Sequence, residues 1–342
     1  AGDVLHTIEI VLRMADGERP HIDFMTPLGW LAFAPIAGFM SLGFGMGHAF
    51  ALSQLAVALV LIPAIVYAAS SRLPPSTGWV FSVLTVLIIL SLGQGRTGGE
   101  LSVSMFYNRW TWAVVFIIVL LAVVPVRTAP RPNVDGLFIG VLLAAAAMVK
   151  ATVFVFLAPA LILVLLLRGE RRVLGVSFLS GAVTGVVILL VLGPAALLAY
   201  AGDLLAVSEA PLRQTPGASI EALFASPLAI GQTLLVLGAS LALRRTGRPV
   251  EGLCIILLFP ALLAITWQNF ANVPFWLIPI GAIFAAIWDS DRSLRPAALG
   301  AFGAALLAAP IVMVHGLIPI QHAVTRSNLY VNVVPGDERL AD

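Results

Sequence analysis

Runs of apolar residues long enough to cross a lipid bilayer recur along this sequence and limit the folds open to it. A helix of about 20 residues crosses the roughly 30 Å hydrocarbon core. Such runs follow one another from Leu28 to His315 with short polar breaks. Hydrophobic residues make up 60% of the chain and charged residues only 11%, whereas a soluble domain has about 25% charged residues. The sequence therefore excludes a soluble fold and predicts an all-α polytopic membrane protein.

The apolar runs predict about ten transmembrane helices. A further stretch at 27–45, PLGWLAFAPIAGFMSLGFG, is apolar but is interrupted by glycines and prolines, which disfavour a continuous helix. The predicted spans lie near 48–70, 78–93, 108–126, 134–149, 151–167, 173–200, 223–243, 250–267, 271–288 and 295–315.

The arginines decide how 27–45 is placed, because Lys and Arg in short loops favour the cytoplasmic side. If 27–45 crosses, the later loops exchange sides and the basic excess falls outside. We therefore expect an interfacial helix there, at the outer surface. The chain then divides into an outer first loop at 1–47, a transmembrane region at 48–315 and an outer C-terminal segment at 316–342. If 27–45 does not cross, eleven of the 19 basic residues fall inside: Arg72, Arg127, Arg131, Arg168, Arg171, Arg172, Arg244, Arg245, Arg248, Arg292 and Arg295.

Charge and composition suggest where the protein resides. The formal net charge is only +2, so no nucleic-acid partner is indicated. The sequence is rich in Ala, Leu and Arg, with Lys150 as its sole lysine, which suggests a GC-rich bacterium. We expect a multi-pass protein of the bacterial inner (plasma) membrane, in the cell envelope, with any active site on the periplasmic face. Because the chain opens in a polar stretch, AGDVLH, we also expect a membrane helix upstream of Asp3.

Acidic and histidine side chains concentrate in the first outer loop. Asp3, His6 and Glu9 are spaced so that a helix places neighbours on adjoining turns. A carboxylate beside an imidazole can act as a general base, and a solvated helix end capped by Asp3 is the alternative. Further on, DGERPHIDF contains His21 and Asp23 before an apolar segment, which also fits an ordinary loop with an N-cap.

The order of these residues resembles the first loop of the GT-C glycosyltransferases. The loop opens with Asp3, reaches Gly17 and continues as ERPHIDFMTPLGW, with His21 where many members have an aromatic residue. The segment AMVKATVFVFLAPALILVLLL and the alternating spans extend the resemblance. These enzymes, of the aminoarabinose transferase and protein O-mannosyltransferase type, take sugars from polyprenyl-phosphate carriers.

The resemblance implies a GT-C-like fold and an inverting sugar transfer from a polyprenyl-phosphate donor to a glycan, lipid or protein acceptor. Asp3 would be the catalytic base, and 27–45 would help to form the donor site. The carrier phosphate needs a cation, which Lys150 can supply, although a lysine at a helix end also snorkels to the interface. Val4 stands where many members have a second acidic residue, which weakens a metal-binding inference and leaves a divalent cation open.

Polar residues on the outer face are further candidates for substrate binding. Amides can donate to and accept from sugar hydroxyls. An arginine such as Arg109 can hold a phosphate bidentately, and its pairing with Glu100 is the alternative. The candidates are His6, Glu9, His21, Asp23, Tyr107, Asn108, Arg109, Lys150, Gln268, Asn269 and Asn272.

Two other classes of protein stay open. A transporter or flippase for a lipid-linked glycan would need charged groups within the spans, where the sequence has almost none. A structural subunit of a membrane complex is the third hypothesis, favoured if the purified protein always arrives with partners.

Overall fold

The computed structural model describes residues 2–91, 105–127, 129–210, 221, 225, 227–245, 247–268, 275–290 and 338–340. These residues fold into helices, and among them only an isolated bridge between Pro20 and Phe24 has β character. Two short 3-10 helices lie at Trp30–Ala32 and Glu338–Leu340. The α-helices are α1 Gly2–Ala15, α2 Ala34–Ser41, α3 Met46–Arg72, α4 Pro75–Leu90, α5 Phe106–Val123, α6 Pro132–Val149, α7 Ala151–Leu167, α8 Arg171–Leu192, α9 Pro194–Glu209, α10 Pro227–Arg245, α11 Pro249–Trp267 and α12 Leu277–Ser290.

Five of these helices, α3, α5, α6, α8 and α11, are long and apolar enough to cross a membrane. Helices α4 and α7 and the Leu277–Ala286 part of α12 are apolar but shorter. On α8, Phe178, Leu179 and Leu190 are 60%, 66% and 78% exposed, which suits contact with lipid better than contact with water. The described residues thus agree with an all-helical membrane protein, while ten crossings remain a prediction.

One predicted span is two helices in the structure. The span at 173–200 is interrupted at Gly193, whose φ of 80° lies in the left-handed region that favours glycine. Pro194 then begins α9, where its missing N–H removes no helical hydrogen bond. The prediction of a single helix over 173–200 is therefore wrong. The predicted span at 295–315 lies outside the described residues.

Residues 27–45 fold into two short helices. The 3-10 turn at Trp30–Ala32 is followed by α2, which has eight residues and ends before Gly43, a glycine with φ of 91°. A helix of that length spans about 12 Å, which is too short to cross a bilayer core of roughly 30 Å. This agrees with the expectation that 27–45 does not cross, and its place at the membrane interface remains a prediction.

Helix α5 lies at the centre of the bundle. It packs against α3, α4, α6, α7, α11 and α12. Because neighbours surround it, α5 is buried around its circumference from Asn108 to Val123, and beyond the first turn its sequence is apolar except for Thr111. The polar side chains of Asn108 and Arg109 lie in that first turn.

Antiparallel neighbours bring distant residues together at the two ends of this bundle. At one end, the Arg72 Nη2 donates to Asp135 Oδ2 at 2.7 Å, which joins the end of α3 to the start of α6. At the other end, Lys150 Nζ donates to Asn108 Oδ1 at 3.0 Å, which joins the α6–α7 junction to the start of α5. The 18 residues of α5 separate these ends by about 26 Å. They are called the Arg72 end and the Lys150 end.

Helices α6 and α8 approach closely through small residues. A Cβ built at Gly140 would overlap Ser180 Oγ and the carbonyl oxygen of Ser177. Ser180 Oγ also donates to the carbonyl oxygen of Gly136 at 3.1 Å. Small residues allow helix backbones in membranes to pack against one another at short distance, so α6 and α8 are held close together.

Candidate functional site

A cavity of about 430 Å³ lies between the first loop, α2, the end of α6 and the junction of α8 with α9. The first loop gives it polar residues, including Glu18, Arg19 and His21. Such a lining suits a ligand with both a polar and an apolar part. The apolar part of the lining includes Ala34, Ala37, Val191, Leu192, Ala196 and Leu197.

Close backbone contacts fasten the first loop to the end of α6. The N–H of Gly29 donates to the carbonyl oxygen of Val149 at 3.2 Å. A Cβ built at Gly29 would overlap the Met148 backbone, so a larger residue does not fit there. His21 has φ of 70°, an uncommon conformation for a residue with a Cβ, and its N–H donates to the carbonyl oxygen of Phe24 at 2.7 Å. The loop is thus held in one conformation.

His21 and Asp203 form a partly buried polar pair at this cavity. His21 Nδ1 lies 2.8 Å from Asp203 Oδ2, and Nδ1 is assigned as the donor because a carboxylate only accepts. The same oxygen accepts the N–H of Thr26 at 3.2 Å. The His21 side chain is 3% exposed, and its Nε2 is buried with no hydrogen-bond partner among the described residues. Because an unpaired buried polar atom is costly, Nε2 is suited to meet a polar group of a ligand.

Tyr200 connects this pair to α6. It lies three residues before Asp203, and therefore on the same side of α9. Its ring packs on His21 with centroids 4.6 Å apart, and its hydroxyl donates to the carbonyl oxygen of Ala147 at 3.1 Å. Tyr200 is outside the helices of spanning length, and burial raises its pKa to about 12. The phenol therefore stays protonated and keeps this bond at neutral pH.

A second polar cluster, defined by Lys150, Asn108 and Tyr107, lies one helical turn beyond Ala147. Besides its hydrogen bond to Asn108, the Lys150 ammonium lies 6.0 Å from the centroid of the Tyr107 ring, at the limit for a cation–π interaction. Arg109, 5% exposed, follows Asn108 on α5. The structure therefore brings together three of the predicted site residues at the Lys150 end, next to the cavity that His21 lines.

Four other predicted residues do not join these clusters in the described structure. His6 and Glu9 lie on the exposed side of α1. Asp23 is exposed, and its carboxylate closes its own loop by accepting the N–H of Arg19 at 2.7 Å. Gln268 is half-buried and directly follows α11. None of the four contributes to the lining of the cavity among the residues that the structure describes.

The remaining predictions fall on parts of the chain that the structure does not describe. These are the Asp3 side chain and all of Asn269 and Asn272. The backbone of Asp3 belongs to α1, eleven residues before the cavity-lining Met14, which corresponds to about 16 Å along the helix axis. Within the described ranges, no three His, Cys, Asp or Glu side chains group as metal ligands, so the divalent cation stays untested.

Two residues of the site, Asp203 and Tyr200, were not predicted to act there. Their signal in the sequence is a single carboxylate inside the apolar run PAALLAYAGDLLAVS, since a charge in such a run tends to mark a functional site. Its partner His21 could not be identified, because the pairing depends on how α9 packs over the first loop.

The fold and this site together define a helical membrane protein with two adjoining polar clusters at one end of its bundle. No protein-family model matches the chain, and neither a curated protein nor a solved structure matches it. We therefore infer its function from the chemistry of the site.

Proposed function

We propose that the protein is a membrane glycosyltransferase that moves a sugar from a polyprenyl-phosphate carrier to an acceptor hydroxyl. The reaction takes place at the Lys150 end, which faces the periplasm. One observation supports this most directly. The only lysine of the sequence is hydrogen-bonded to Asn108, one helical turn from a residue that contacts Tyr200 at a cavity with both polar and apolar lining.

Lys150 suits the phosphate of the carrier. An ammonium is a compact point charge for phosphate, and its hydrogen bond to Asn108 limits the entropy that would be lost on binding. Arg109, the next residue of α5, adds a second cation in the same turn as Asn108, and its planar fork matches two phosphate oxygens. A phosphate at this partly buried site is screened less by water than one at an open surface.

The cavity is open to a molecule that approaches from the bilayer. Val191 lines it and is also 66% exposed on the outer surface of α8, so the cavity adjoins the surface that would contact lipid. A lipid-linked molecule can therefore approach it from the bilayer. This is the feature that a carrier with a long prenyl chain requires, because the chain remains in hydrocarbon while its head group reacts.

Transfer forms a bond between the acceptor oxygen and C1 of the sugar and breaks the bond between C1 and the phosphate oxygen. The carrier phosphate leaves with the electron pair, and positive charge nearby stabilises it. One base takes the proton of the acceptor hydroxyl, a role that the resemblance gives to Asp3. Direct displacement by one step inverts the configuration at C1 and needs no covalent enzyme intermediate.

Carrier binding tests the phosphate site. Undecaprenyl phosphate is titrated against the full chain in nanodiscs, as wild type, Lys150→Arg and Lys150→Met. Arginine should retain part of the affinity because it keeps the charge, and methionine should lose most of it. Arg171→Met, which removes a charge at the opposite end of α8 from the cavity, is the matched control. Equal affinities for wild type and Lys150→Met would contradict the proposal.

Activity is tested separately with radiolabelled polyprenyl-phosphate sugars in proteoliposomes, with and without EDTA. A glycosyltransferase releases free carrier phosphate and labels an acceptor. A transporter would move the donor across the bilayer with its C1–O bond intact, and that result would favour the alternative class. Loss of transfer in EDTA would add a divalent cation to the site.

A further inference from the structure

We infer that His21, oriented by Asp203, is the base that takes the proton from the acceptor hydroxyl, and that the acceptor is an amphiphile bound in the adjoining cavity. This inference rests on the proposed sugar transfer and assigns its base and the chemical class of its acceptor. The observation behind it is an imidazole on a cavity-lining residue, with Nδ1 held by a carboxylate and Nε2 buried without a hydrogen-bond partner among the described residues.

The hydrogen bond to Asp203 determines what His21 can do. Because Nδ1 carries the proton that is donated to Asp203, Nε2 of the neutral ring has a free lone pair. When Nε2 accepts a proton, the ring becomes an imidazolium cation 2.8 Å from a carboxylate, which stabilises the charge that forms. A base oriented by a third group is the recurring arrangement for activating a hydroxyl nucleophile.

The backbone of His21 supports a functional reason for this placement. Its φ of 70° is unfavourable for a residue with a Cβ, and such conformations persist where the surrounding structure fixes them, often at functional sites. Here Phe24, Thr26 and Tyr200 provide that fixation through two hydrogen bonds of the loop and the ring contact. A histidine that only filled space could lie on a backbone with an ordinary negative φ.

The position of α1 separates His21 from the base that the resemblance suggests. The backbone of Asp3 lies about 16 Å along the helix axis from Met14, the α1 residue at the cavity. His21 itself lines the cavity. An acceptor bound in this space is therefore next to His21, whatever the role of Asp3.

The lining of the cavity indicates the class of acceptor. Ala34, Ala37 and Leu197 give it apolar surface, while Arg19 and His21 give it hydrogen-bonding groups. A lipid with a hydroxyl-bearing head group matches both. In the reaction the acceptor proton moves to Nε2, the acceptor oxygen bonds to C1 of the sugar, and polyprenyl phosphate departs with the electron pair. The proton on Nε2 is then released to water.

Two substitutions at one position test the role of Nε2. His21→Asn keeps an N–H that can reach Asp203 and tolerates the left-handed backbone, but it offers no basic nitrogen. His21→Gly removes the backbone strain and leaves space for added imidazole beside Asp203. His48→Asn, at an exposed histidine near the start of α3, is the matched control. The probes are undecaprenyl phosphate for binding and octyl glucoside as the acceptor amphiphile for transfer.

The expected result is normal binding of undecaprenyl phosphate by all three variants and a loss of transfer of about 10²- to 10⁴-fold in His21→Asn and His21→Gly. Imidazole should restore part of the activity to His21→Gly alone. No transfer by the wild-type protein from any polyprenyl-phosphate sugar overturns the proposed function and this assignment with it. If the wild-type protein transfers sugar and His21→Asn does so at a rate within a few-fold of wild type, the assignment of His21 as the base is overturned and the proposed function stands. The same holds if His21→Gly is inactive, binds the carrier normally and is not rescued by imidazole.

Discussion

The imidazole of His21 and the carboxylate of Asp203 are 182 residues apart in the sequence and 2.8 Å apart in the structure. One carboxylate oxygen binds both this ring and the backbone N–H of Thr26. Asp203 therefore ties α9 to two points of the first loop.

Replacing Asp203 with alanine should loosen the first loop. The change leaves the fully buried N–H of Thr26 and Nδ1 of His21 without their acceptor, and each such loss costs about 1–3 kcal/mol. Hydrogen exchange of residues 17–29 should become faster in Asp203→Ala, while α5 remains unchanged. Glu209→Ala, at the exposed end of the same helix, is the control. Unchanged exchange in the loop would show that Asp203 does not hold it.

The helices of this protein could largely be predicted from the sequence, because apolar length and flanking charges mark their ends. The predicted span 151–167 coincides with α7, and 250–267 differs from α11 by a single residue. The break that divides the predicted span 173–200 into α8 and α9 was harder to predict. Glycine and proline are tolerated within membrane helices, so the Gly193–Pro194 pair did not by itself require a break.

The site could be predicted only in part. Lys150, Asn108 and Tyr107 were each identified by residue type and by their place at helix ends, but their mutual contact depends on the packing of α5 against α6. The pairing of His21 with Asp203 joins segments from opposite parts of the chain. Sequence spacing describes neighbours on one helix and carries no information on such pairs.

Removing the partner of Lys150 should weaken carrier binding without abolishing it. In Asn108→Ala the Lys150 ammonium keeps its charge but loses its hydrogen bond to Asn108. A hydrogen bond with a charged donor is worth about 1.5–3 kcal/mol when fully formed. Undecaprenyl phosphate should bind roughly tenfold more weakly than to wild type and more tightly than to Lys150→Met. Affinity equal to that of Lys150→Met would mean that Asn108 itself binds the phosphate.

The Lys150 end should face the outside of the cell. Leu42 is 74% exposed between α2 and α3, and Ala129 is exposed between α5 and α6 at the opposite end. In intact cells an impermeant maleimide should label Leu42→Cys and should label Ala129→Cys only after the membrane is permeabilised. The native Cys254 is buried and provides a low background. The reverse pattern would place the proposed active site in the cytoplasm.

The contact between α6 and α8 should tolerate no side chain at Gly140. A Cβ there meets Ser180 and the backbone of Ser177, so Gly140→Ala should lower the free energy of unfolding by about 1–3 kcal/mol. Gly185→Ala on α8, where the space around a new Cβ is open, should be neutral or slightly stabilising because alanine favours the helix. Thermal unfolding in detergent distinguishes them, and equal stability of the two variants would exclude close packing at Gly140.

The buried ion pair at the Arg72 end should contribute to the fold and leave the site at the other end unchanged. The side chains of Arg72 and Asp135 are 3% and 5% exposed, and Tyr67 also donates to Asp135 at 2.7 Å. Removing one charge leaves the other buried and unpaired, so Arg72→Met and Asp135→Leu should each lower the free energy of unfolding by about 3–5 kcal/mol. The double variant should recover much of this loss, since it buries no uncompensated charge.

Unfolding of the wild-type protein, the two single variants and the double variant in detergent gives the coupling energy. A double variant as unstable as the sum of the single changes would contradict a direct pairing. Because the ends are about 26 Å apart along α5, the folded double variant should bind undecaprenyl phosphate as tightly as the wild-type protein.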